Sequence, residues 1–295
     1  MTKSINNFFV FILILLGAQS HALEKTVRYN ISEQPNAIQI ETIGEGKPMV
    51  FLPGFTTPGS IWKETITHVA LNRKSYLVSY AGFNGIPSIE MPWYTSIKNS
   101  IITYIQEQQL NDIIIMGHSM GGNLAVDIAA TLPNKVSKII IVDALPCMRE
   151  VMMPNVPVEN LVYDNPYNKQ MLHMDDQQFK NMATMMASNM TNTAHKKETI
   201  ANWILEADRK TWVYGYTDLL KLDLRDTLKK ISCETLIIGA SFPNLKIAKE
   251  NFEKQYTNLS NKTLKMAPKS KHFVMFDQPQ WFYEVTKAFL ANEKK

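Results

Sequence analysis

Ile113-Ile114-Ile115-Met116-Gly117-His118-Ser119-Met120-Gly121-Gly122 is the stretch that decides the fold of this 295-residue chain. Its first four residues form an unbroken apolar run, the pattern of a strand buried on both faces of a parallel sheet. The residues from about Met120 to Leu132 read as a helix. Between the two lies Gly-x-Ser-x-Gly, which the chemistry of a nucleophilic serine needs in this setting. The serine must stand on a tight, strained turn, and the glycines remove side chains that would collide with the adjoining strand and helix. The helix starting there brings partial positive charge to the anion that forms on attack. Ser119 is therefore the candidate nucleophile, and His118 before it reads as packing in the turn.

Outward from this point, strand and helix alternate. Lys25 to Ile31 and Ala37 to Ile43 read as two β-rich segments split by Gln34-Pro35-Asn36, and Pro48 to Leu52 is a short apolar run ending in Pro53-Gly54-Phe55. Strands are predicted at Ser75 to Tyr80, Asp112 to Met116, Lys138 to Val142, Thr235 to Gly239 and Thr263 to Met266. Helices are predicted from about Pro92 to Gln109, Leu245 to Tyr256 and Pro279 to Leu290. This rhythm implies an α/β fold with a doubly wound, mostly parallel sheet. It breaks at residues 146–227, which hold Pro146, Pro154, Pro157 and Pro166, helix-like segments and no strand signal. We read this stretch as a helical cap inserted between core segments 23–145 and 228–295. Nine of the sixteen methionines lie in it, and Phe179, Met182, Met186 and Met190 share one helical face. That stripe reads as packing for the cap, as part of an adaptable apolar pocket, or as both, since a cap helix has two neighbours.

On the strand–serine–helix turn and the alternation around it, the chain resembles the α/β-hydrolase superfamily. The resemblance implies that the backbone N–H groups of Phe55 and Met120 hold the oxyanion; Pro53, which has no N–H, leaves Phe55 as the donor in its loop. It also implies a histidine after the last strand. Of the six histidines only His272, in Lys271-His272-Phe273, follows that strand and precedes the helix at Pro279. Asp277 and Pro279 read as structural residues that introduce this helix. Most members carry the acid after the strand that here ends near Gly239, but Ala240-Ser241-Phe242-Pro243-Asn244 contains no carboxylate. One group of haloalkane dehalogenases carries it after the preceding strand, a position that here is Asp143. A carboxylate ending an all-aliphatic strand needs a hydrogen-bond partner, which a histidine N–H would supply. Asp223 and Asp226 stand at the wrong end of the next strand.

Composition excludes some classes. Hydrophobic residues make 45% and charged residues 20% of the chain, and the net charge of +4 is scattered, which is no stripe for nucleic acid. Lys3, the apolar run Phe8 to Leu16 and Ser20-His21-Ala22 read as a signal peptide over residues 1–22, so that a secreted or periplasmic protein with no stable membrane anchor is expected. Cys147 follows the C-terminal end of one parallel strand and Cys233 precedes the N-terminal end of the next, roughly 15–20 Å away, too far for a disulfide. No metal or cofactor motif is visible. The expectation is a serine hydrolase acting on a small ester or lactone. Other acyl transfer, C–C hydrolysis, and a non-catalytic relative binding a small molecule stay open.

Overall fold

The computed structural model describes residues 25–27 and 36–291, so the expected signal peptide lies outside the described residues. β1 (Lys25–Val27) and β2 (Ile38–Ile43) open the chain, followed by β3 (Lys47–Leu52), α1 (Lys63–Val69), β4 (Arg73–Tyr80) and α2 (Trp93–Glu107). Then come β5 (Ile113–His118), α3 (Met120–Thr131) and β6 (Val136–Val142). Between β6 and the next strand the described elements are helical: α4 (Met148–Met152), α5 (Pro166–His173), α6 (Asp176–Met190), α7 (Ala194–Leu205) and α8 (Arg209–Lys221), with two short 3-10 turns. β7 (Glu234–Ala240), α9 (Leu245–Gln255), β8 (Lys262–Ala267), α10 (Val274–Asp277) and α11 (Pro279–Ala291) complete it.

The strands form one eight-stranded sheet in the order β1-β2-β4-β3-β5-β6-β7-β8. β1 and β2 join antiparallel, and every pairing from β4 to β8 is parallel. All six residues of β5 are buried, as an apolar run between helical layers requires. The order reverses at β3, which has β4 on one side and β5 on the other. The carboxyl ends of β3 and β5 therefore flank the crevice where open α/β sheets bind ligands.

Helix α1 is not evident in the sequence. Lys63-Glu64-Thr65-Ile66-Thr67-His68-Val69 is short, and its threonines and valine are poor helix formers. Tertiary packing supplies what propensity lacks, with His68 stacked on Tyr283 of α11 at 4.1 Å between centroids. Three of the five helices between β6 and β7 carry local start signals instead. Asn165 caps α5, Asp175 caps α6 and Asp208 caps α8, each accepting a backbone N–H from three residues on. The methionine stripe is a packing face: Phe179 is buried with an edge contact to Trp212, and Met182, Met186 and Met190 pack half-buried on the core.

Asp218 of α8 joins this helical region to the sheet layer. Its carboxylate accepts the Trp93 and Tyr94 N–H groups at the start of α2, at 2.8 and 3.2 Å, and the Tyr163 hydroxyl at 2.6 Å. Two free N–H groups of a buried helix end are thereby satisfied. Both cysteines are free: Cys147 is buried beyond β6, and Cys233 lies before β7 at the other end of the sheet.

Candidate active site

Ser119 stands between β5 and α3 with φ +53° and ψ −125°. A non-glycine residue held there stores strain of about 1–3 kcal/mol, offset by the surrounding packing. The packing is extreme at the flanking glycines. A Cβ on Gly117 would lie 2.0 Å from the Gly121 carbonyl oxygen, and one on Gly121 would lie 2.1 Å from the Leu52 carbonyl oxygen. No side chain fits at either place, so strand, turn and helix close on one another only with glycine. The Ser119 N–H donates to the Val142 carbonyl at 2.8 Å, tying the turn to the end of β6.

The loop after β3 abuts the same turn. A Cβ on Gly54 would lie 3.4 Å from the Ser119 Cβ. The carbonyls of this loop are occupied: Pro53 by the Tyr80 hydroxyl, Gly54 by the Thr57 N–H, Phe55 by the Thr57 hydroxyl and Thr56 by the Asn84 amide. Two of these bonds are internal to the loop, and those from Tyr80 and Asn84 tie it to the neighbouring structure beside the serine. Met120 is the first residue of α3, a position whose N–H has no partner within the helix.

His272 and Asp143, 129 positions apart, meet directly. The Nδ1 of His272 lies 2.6 Å from the Asp143 Oδ2, and the side chains are 29% and 15% exposed. The other Asp143 oxygen accepts the Ala240 N–H at 2.8 Å, and the Asp143 N–H donates to the Ile238 carbonyl at 2.7 Å. Asp143 has φ +47°, a conformation that aspartate tolerates better than most residues. With a carboxylate at Nδ1, the proton sits on Nδ1 and leaves Nε2 as the basic nitrogen.

His118 does more than fill the turn. It is fully buried, and its Nε2 donates to the His272 carbonyl at 3.0 Å, with ring centroids 4.6 Å apart. That bond requires the proton on Nε2 and leaves a buried, unpartnered Nδ1. Burial above all, and then the neighbouring His272, push its pKa well below the ordinary 6.5, so it stays neutral. Further side chains brace the Asp143 loop: the Tyr256 hydroxyl holds the Ala144 carbonyl, Asn123 holds that of Leu145, and Gln255 bonds both backbone groups of Cys147. Their pattern is invisible along the sequence, since they lie 22 to 112 positions from their partners.

An apolar wall adjoins the site. The Phe55 ring makes contacts with Phe83, Trp93 and Tyr216 at 4.8, 5.5 and 6.0 Å, and the Tyr216 hydroxyl meets the Met152 sulfur at 3.5 Å. A separate cavity of about 410 Å³, lined by Lys47, Arg73, Asp112, Lys138 and Cys233 among others, opens at the N-terminal ends of the strands, across the sheet from Ser119. Among the described residues no group of three or more His, Cys, Asp or Glu could hold a metal, and no helix is long and apolar enough to cross a membrane.

A doubly wound sheet with a serine on a strained turn after its central strand, and a histidine after its last, defines the α/β-hydrolase fold. Residues 49–285 match the alpha/beta hydrolase family, and the chain belongs to it. It is 24% identical over 269 residues to a pimeloyl-[acyl-carrier protein] methyl ester esterase of Aeromonas salmonicida, covering 86% of this chain and all of that one. Among solved structures it is similar to an esterase from Exiguobacterium antarcticum, with TM-score 0.72 and 19% identity over 89% of this chain and 100% of that one. A thermophilic esterase from Thermogutta terrifontis gives TM-score 0.72 and 18% identity, over 86% of this chain and 93% of that one.

Proposed function

We propose that this protein is a serine hydrolase that cleaves a carboxylic ester or lactone with an apolar acyl or alcohol part. The observation that carries the reading is the 2.6 Å contact of His272 with Asp143 beside the strained turn of Ser119. In the proposed reaction His272 Nε2 takes the Ser119 hydroxyl proton while the Ser119 oxygen attacks the ester carbonyl. The Phe55 and Met120 N–H groups stabilise the resulting oxyanion. On collapse, the carbon–oxygen bond to the alcohol breaks, and His272 returns its proton to that oxygen. Water then attacks the acyl-enzyme, giving its proton to His272. The carboxylic acid departs as Ser119 recovers its proton. Asp143 holds the imidazole in the required tautomer and balances its transient charge.

The apolar wall of Phe55, Tyr216 and Met152 supports an apolar substrate portion, and the esterase names of the relatives support ester over amide or C–C cleavage. The methyl ester in the Aeromonas relative's name puts methyl esters in a screen beside p-nitrophenyl esters and lactones. We place the mature protein outside the cytoplasm, with residues 1–22 removed and residues 146–227 acting as the cap over the core; osmotic-shock fractionation checks the location.

Fluorophosphonate labelling with the adduct mapped by mass spectrometry tests the chemistry. A single adduct on Ser119, lost in His272→Ala, is the expected result. A well-folded protein that takes up no label would overturn it and favour a small-molecule-binding relative without catalysis.

A further inference from the structure

We infer that Asp277 is a positioning residue that ties the turn between α6 and α7 to the loop carrying His272, so that the base is set from the helical region as well as from the sheet. The inference rests on the catalytic reading above. The Asp277 Oδ1 accepts the Thr191 hydroxyl at 2.6 Å, the Asn192 N–H at 2.9 Å, and the Thr193 N–H and hydroxyl at 3.2 and 3.1 Å. Its Oδ2 accepts the Lys271 N–H at 2.8 Å. None of these partners belongs to α11, so the carboxylate does not serve as the cap of the helix it precedes in sequence.

The same two segments are joined again around it. The Phe273 N–H donates to the Met190 carbonyl at 3.0 Å, the Asn192 amide to the Lys269 carbonyl at 3.0 Å, and the Lys271 ammonium to the Ser188 carbonyl at 2.7 Å. Three consecutive residues are thus pinned through their backbones. Asp277 holds the N–H of Lys271, His118 holds the carbonyl of His272, and Met190 holds the N–H of Phe273. With Asp143 on Nδ1, little freedom is left to the imidazole. Such restraint matters because a misplacement of about 1 Å in a reacting group costs roughly 100-fold in rate.

Asp277→Asn separates the two sides of this clamp. Its amide oxygen keeps the four donors of the α6–α7 turn, which turns the NH₂ group toward the Lys271 N–H and breaks the bond on the His272 side. The expected result is a kcat lower by about 30-fold with KM within about 3-fold, the signature of a displaced base rather than a lost binding contact. Fluorophosphonate labelling of Ser119 slows by a similar factor. Thr191→Val loosens the clamp from the other side and leaves the Lys271 bond in place. It should lower kcat in the same sense by about 3- to 10-fold, again without moving KM, and it carries the test if Asp277→Asn does not fold. Folded variants that lose thermal stability but keep wild-type kcat and labelling rate would overturn the inference and leave Asp277 a purely structural group. A wild-type protein that never labels at Ser119 would defeat the hydrolase reading itself, a different result from labelled wild type with unaltered variants.

Discussion

Asp143→Asn tests the arrangement at its most informative point, because the two carboxylate oxygens have different partners. Oδ2 faces His272 Nδ1 and Oδ1 accepts the Ala240 N–H. An asparagine has one acceptor for these two donors. If its oxygen stays with Ala240, the NH₂ group faces Nδ1, which must then give up its proton, and Nε2 becomes protonated and useless as a base. If the amide flips, the buried Ala240 N–H faces another donor and costs about 1–3 kcal/mol. The charge is lost in either case. The carboxylate and the imidazolium of the transition state spread their charges so that the centres lie about 4 Å apart, worth about 4 kcal/mol at an effective dielectric of about 20. That is a loss of about 1000-fold in kcat, with substrate binding little changed because the ground state carries no imidazolium. Stopped-flow release of p-nitrophenol under single-turnover conditions measures the acylation step, and circular dichroism melting controls for folding. A folded variant that acylates within about 10-fold of wild type would refute both the electrostatic argument and Asp143 as the acid.

Three further outcomes follow from the packing and the titrations. Gly121→Ala puts a methyl carbon 2.1 Å from the Leu52 carbonyl oxygen; urea unfolding should show a loss of about 4 kcal/mol or more, or no soluble protein at all. Because the folded pKa of His118 lies below its ordinary 6.5, the unfolded chain binds that proton first as pH falls. Stability should therefore drop below about pH 6.5 by up to about 1.4 kcal/mol per pH unit, a slope read from urea midpoints and reduced in His118→Gln. Burial pushes the Cys233 thiol from 9.0 to about 11; iodoacetamide at pH 8 should modify it about 100-fold more slowly than an unperturbed thiol, and unfolding should abolish the difference.

The parts of the fold legible in the sequence are those in which a local pattern and the tertiary environment agree. Ile113 to Met116 and Ile139 to Val142 are aliphatic because both faces of β5 and β6 are covered, so their burial is written in composition alone. The strained turn at Ser119 was legible for the same reason, since the glycines that permit it lie within three residues. Asp143 came from the resemblance to one group of haloalkane dehalogenases, prompted by the absence of a carboxylate after Thr235 to Gly239, and the structure brings it to His272. What stayed hidden depends on distance along the chain. Helix α1 is supported by His68 on Tyr283, and Asp277 looked like a helix-introducing acid because its partners Thr191 to Thr193 lie more than 80 positions away. His118 looked like filler because its hydrogen bond goes to a carbonyl 154 positions distant.

The proposed acid at the end of β6, in place of one at the end of β7, has a simple geometric basis. The two strands are parallel neighbours with Val142 opposite Ile238, so the residue after Val142 stands one strand spacing, about 4.8 Å, from the end of β7. An aspartate side chain covers that spacing if the backbone turns it sideways, and the φ of +47° at Asp143 makes this turn. The end of β7 then changes its part: the Ala240 N–H becomes a donor that fixes the second carboxylate oxygen. Ser119 donates to Val142, Asp143 donates to Ile238, and Ala240 donates to Asp143, so three adjacent strand ends are laced in series. The loop after β7 keeps a supporting contact, since the Ser241 hydroxyl accepts the Ser270 N–H at 3.2 Å just before the His272 turn. That loop and the start of α9 carry Phe242, Leu245 and Ile247 at the exposed surface.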